Sequence, residues 1–154
     1  MPILKFLHIL AMFSAVTLIF GGVVFLEYVA RARDVTTYRR LYEIWERTDT
    51  PAIILFVAGI VFGLLTAITG GFDPTASWLI LAYVIVVAIV VDGFLFTGRW
   101  YNRIKEAASL SNPEQAADEV RRLIGTPRHI GALAISTALW ASIIFVMVVK
   151  PSLF

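Results

Sequence analysis

The side chains able to do chemistry here are few, and each lies in or beside an apolar stretch: His8, Met12, Glu27, Asp92, His129 and Met147. His8 and Met12 are one helical turn apart on one face, and Met147 falls at a comparable depth near the end of the last stretch. An imidazole with one or two thioethers is a donor set for a soft metal or a haem iron. The competing reading is a histidine hydrogen-bonded within a helical bundle, with methionines filling irregular gaps. Glu27 has Arg31 four residues on, an orientation that suits ion pairing and the helix dipole, with proton handling as the alternative. Asp92, deeper and followed by Gly93, either bridges to a snorkelling arginine such as Arg31 or serves a function. His129 follows Thr126-Pro127 at an interface, where an unremarkable interfacial histidine competes with a catalytic or metal role. His8 and His129 are expected near opposite faces of the membrane, roughly 25 Å apart by helical rise, which excludes one iron bound by both.

The chain has no cysteine, which removes disulfides, thiolate metal sites and a cysteine nucleophile. There is no P-loop, Rossmann glycine pattern, H-E-x-x-H or G-x-S-x-G to mark an enzyme. The formal charge of +2 reflects arginines anchoring helix ends, and no nucleic-acid partner is expected.

These groups must be positioned by apolar helices. With 154 residues, 59% of them hydrophobic, the chain reads as one all-α domain, a polytopic membrane four-helix bundle. Its spans are residues 3–30, 52–69, 77–96 and 130–149, each about long enough to cross a hydrocarbon core of roughly 30 Å. A signal peptide flanked by Lys5 and cleaved near Ala30-Arg31-Ala32 is the rival for the first; its apolar core is too long and contains Glu27, so the segment is read as retained. Thr50-Pro51, Asp73-Pro74, Asn112-Pro113 and Thr126-Pro127 each read as an N-cap before a proline at the first helical position. The polar helix Pro113 to Ile124 is closed by Gly125. Between the first two spans, Val35, Tyr38, Leu41, Tyr42 and Trp45 form one face of an amphipathic helix. It lies on the membrane surface, continues the first span as a protruding hairpin, or is covered by a partner.

Basic residues set the orientation. Arg31, Arg33, Arg39, Arg40 and Arg47 occupy the first connection, Arg99, Arg103, Lys105, Arg121, Arg122 and Arg128 the third, and none the second. Both basic connections are therefore expected in the cytoplasm, with Met1, the Gly70-Gly71 turn and Phe154 on the outer side. Helix packing is expected through small residues: Gly59 and Gly63 on the second span, and Gly131, Ala134, Ala138, Ala141 and Ser142 on the fourth, with Gly21-Gly22 as a further close approach. Seams within the bundle are favoured over a homodimer face.

The opening Leu4-Lys5-Phe6-Leu7-His8-Ile9-Leu10, the basic connection, the glycine-containing second span, Trp78 at the third and the ending Met147-Val148-Val149-Lys150-Pro151 resemble the bacterial integral membrane proteins grouped as domain of unknown function 2269. That resemblance covers nearly the whole chain and implies a bacterial inner membrane, multi-pass, without implying an activity. Lys5-x-x-His8 is also similar to the first helix of copper-resistance D-type proteins and of J-type protoporphyrinogen oxidase, and this similarity implies copper handling or haem binding at His8. The alternative is a non-enzymatic accessory or structural subunit, whose partners are the lipid bilayer and other membrane subunits or further copies of the chain.

Overall fold

All four apolar stretches are helical in the computed structural model, which describes residues 2–32 and 34–151. Arg33 of the basic connection and the two ends, Met1 and Phe154, lie outside the described residues. The helices are α1 (Pro2–Arg31), α2 (Val35–Thr69), α3 (Ser77–Asp92), α4 (Gly98–Ala108), α5 (Pro113–Ile124) and α6 (Pro127–Val149), with a π-helical segment, Gly93–Thr97, joining α3 to α4. Among the described residues there is no strand. Four helical stretches, namely α1, α2, the continuous Ser77–Ala108 and α6, are long and apolar enough to span a bilayer. Their outer faces are greasy: Phe13 is 72% and Phe94 76% exposed, surface that hydrocarbon solvates and water does not. Four threonine hydroxyls inside these spans are satisfied locally, Thr17, Thr66, Thr69 and Thr137 each donating to the carbonyl four residues back, as suits a medium without water. The protein is a multi-pass integral membrane protein.

The chain divides into two compact units, Met1–Asp73 and Pro74–Phe154. In the first, α1 packs along α2 as an antiparallel hairpin. α2 is one helix of 35 residues, running through Pro51. Thr50 is thus no N-cap. That role belongs to Asp34, whose carboxylate accepts from the Thr37 amide. The reason is phase. Val35, Tyr38, Tyr42, Ala52, Phe56, Gly59 and Ala67 are all buried on one seam whose spacing of three and four continues across the proline. Pro51 sits on the exposed side, where a missing N–H and a bend are tolerated. The amphipathic stripe therefore belongs to the second span, and α1 covers it: Tyr38 and Tyr42 are buried and the Trp45 indole lies against Gly22. At about 50 Å by helical rise, α2 extends past any hydrocarbon core, and the polar half is the part that protrudes.

In the second unit α3 packs on α6 and α4 on α5. Residues 70–76 form a turn, with Gly71 at φ +69, and α3 begins only at Ser77, without a side-chain cap. Asp73-Pro74 therefore belongs to the turn and does not start the helix. Asn112 and Thr126 do act as caps, Asn112 accepting from the Glu114 and Gln115 amides and Thr126 from that of His129. The α3 start is tied to the α6 end by Ser77 Oγ donating to the Pro151 carbonyl at 3.3 Å and by the Lys150 ammonium 5.1 Å above the Trp78 ring. Large residues, Trp140, Ile143 and Val146, make the buried face of α6. Ala134, Ala138, Ala141 and Ser142 are exposed, and a Cβ at Gly131 would meet nothing within 4 Å.

Candidate functional site

In the first unit, His8 sits where α1 meets the glycines of α2. Its Nδ1 lies 2.7 Å from the carbonyl oxygen of Gly59. A carbonyl only accepts, so in the neutral ring Nδ1 carries the proton and Nε2 keeps its lone pair. The ring lies so close to α2 that a Cβ at Gly63 would come within 2.9 Å of its Cε1 and Nδ1, and the Met12 side chain fills the equivalent space at Gly59. Gly59 and Gly63 thus leave room for the two potential donor side chains, one turn apart on each helix. His8 is half-buried. A backbone carbonyl that takes the proton of one imidazole nitrogen and leaves the lone pair on the other is the arrangement that orients metal-bound histidines.

The remaining ionisable groups have other surroundings. Glu27, buried, accepts from Arg31 Nε at 2.9 Å and from its Nη2 at 2.7 Å. Asp92, buried at the end of α3, accepts from the Thr97 hydroxyl at 3.0 Å, and no basic side chain among the described residues pairs with it. The five-residue separation is that of a π-helix, so the bulge that brings Thr97 under Asp92 also satisfies the carboxylate. Thr97 was not evident as a partner because an α-helical register places residues three and four apart together. His129 is buried, stacked on Trp100 with ring centroids 5.5 Å apart, and meets Tyr101 edge-on at 6.5 Å. Met147 is half-buried on α6, in the second unit.

Among the described residues, no three His, Asp or Glu side chains come together as a metal-binding group. A centre held by His8 would therefore be of the kind that takes one imidazole and a thioether, or whose remaining ligands come from a macrocycle. No family model, curated protein or solved structure matches this chain.

Proposed function

We propose that this multi-pass membrane protein holds a metal centre, a haem b iron or a copper ion, through Nε2 of His8. The hydrogen bond from His8 Nδ1 to the Gly59 carbonyl, 2.7 Å, carries this reading, because in the neutral ring it puts the proton on Nδ1 and leaves the Nε2 lone pair for a metal. The likeness of Lys5-x-x-His8 to haem- and copper-associated first helices points the same way. The excess of basic residues in the first and third connections supports an orientation with those connections in the cytoplasm. His8, near the Gly63 end of α2, then lies toward the outer face of a bacterial inner membrane.

The test is an absorption spectrum and metal analysis of protein extracted with its lipids. A Soret band or stoichiometric copper is expected, lost in His8→Gly, restored by added imidazole, and retained in His129→Ala. Neither haem nor copper in the unaltered protein would overturn the reading. Equal loading of His8→Gly without imidazole would move the centre elsewhere.

A further inference from the structure

The third connection is ordered by charge along its length. Arg99, Arg103 and Lys105 come first, then Glu106, Glu114, Asp118 and Glu119, then Arg121, Arg122 and Arg128. Because α4 and α5 pack together and are joined by a short turn, they form an antiparallel hairpin. That folding brings Arg99 to the foot of the hairpin with Arg121, Arg122 and Arg128, where the apolar helices end, puts Arg103 one turn farther along α4, and leaves Lys105 with Glu106 and Glu114 nearer the tip.

Rings join the foot of the hairpin to α6. Trp100 in the first turn of α4 stacks on His129 in the first turn of α6, so their chain neighbours Arg99 and Arg128 lie close to one height at the boundary between apolar and polar sequence, with Arg103 about 6 Å farther along α4. Arg99 and Arg103 are one turn apart on α4, and the Arg103 guanidinium stands 6.0 Å from the centre of the Trp100 ring. All three arginines are exposed. No carboxylate among the described residues pairs with any of them, in contrast to Arg31 with Glu27 and Arg122 with Glu119. Three unneutralised guanidinium groups beside an interfacial tryptophan form a phosphate-binding collar at headgroup depth.

The geometry points to a binding site for the headgroup of an anionic phospholipid, with Arg99, Arg103 and Arg128 holding its phosphodiester. A polyanion arriving from water meets the acidic end of the hairpin first, whereas a lipid approaches from the side, at the arginines' own depth. Each arginine close to an anionic surface is worth roughly fivefold in affinity.

The experiment uses the full-length protein in phosphatidylcholine nanodiscs containing spin-labelled phosphatidylglycerol. A preference for phosphatidylglycerol over labelled phosphatidylcholine is expected, weakening as salt is raised. The triple variant R99Q/R103Q/R128Q should lose about tenfold or more of that preference, while R122Q stays within about twofold of wild type. R99K/R103K/R128K retains charge without the bidentate fork and should fall between them. Equal association of the two lipids, a preference indifferent to salt, or a triple glutamine variant like wild type would each overturn the proposal. Displacement of the lipid by millimolar glycerol phosphate would overturn it too, by making the site one for soluble phosphate. The salt series needs only the wild-type chain, so the proposal is decided even if the triple variant does not fold.

Discussion

At Glu27 and Arg31 the two partners of one ion pair are buried very differently, the glutamate side chain 9% exposed and the arginine 58%. Removing the arginine leaves a buried carboxylate without that cation, whereas removing the glutamate's charge leaves an arginine that water still reaches. Arg31→Gln is therefore expected to cost about 1 to 3 kcal/mol, below the range for a fully buried pair because of the arginine's exposure, and Glu27→Gln less than about 1. Reversible unfolding in detergent micelles measures both, and the opposite ranking would contradict this account. Asp34 carries the pH dependence that can be assigned. Its carboxylate accepts from the Thr37 hydroxyl at 2.6 Å and from the Thr37 amide at 2.9 Å, and these bonds, the hydroxyl's first, hold its pKa below the usual 3.8. A depressed folded-state value means that the cap contributes fully above the ordinary carboxylate range and is lost as pH falls through the lowered value. Amide exchange in the first turn of α2 should accelerate on that descent. Asp34→Asn, still a good cap, should remove the dependence.

Helices and their ends show what was legible in the sequence. The apolar stretches, the caps at Asn112 and Thr126 and the pairing of Glu27 with Arg31 follow from composition and from spacings of three and four. The boundary at Thr50-Pro51 does not hold, because a proline after a threonine is a local signal and the seam from Val35 to Ala67 is a longer one. Following the seam's phase across Pro51 would have found the continuous helix. The π-helical segment had no such signal: Asp92 and Thr97 come together only once the register has slipped. Size alone marks the small residues of α6 as a seam, whereas the face of α6 that is buried in the second unit carries Trp140, Ile143 and Val146. Pro51 also makes a prediction. It removes one backbone hydrogen bond from a helix that is continuous on both sides of it, so Pro51→Ala is expected to stabilise the hairpin by about 1 to 3 kcal/mol. Thermal unfolding in bilayers checks this, and a destabilised alanine variant would mean that packing on α1 depends on the proline.

For the whole molecule, membrane topology is the property on which the placement of His8 depends. The connection around residues 70–76 has no basic residue, and the other two hold eleven of the chain's 13 lysines and arginines, an asymmetry large enough to set which side each connection occupies. The chain lacks cysteine, so single introduced cysteines report without background. Asp73→Cys should react in intact cells with a membrane-impermeant maleimide, while Thr36→Cys and Ser111→Cys should react only after permeabilisation. His8 packs beside Gly63, seven residues before the Gly70 turn, so the same experiment assigns its side of the membrane. Labelling of Ser111→Cys in intact cells, with Asp73→Cys protected, would invert the orientation and put any metal held by His8 toward the cytoplasm. The anionic-lipid collar would then face the outer leaflet. Its chemistry would be unchanged, since the collar depends on where the apolar helices end and not on which side that end faces.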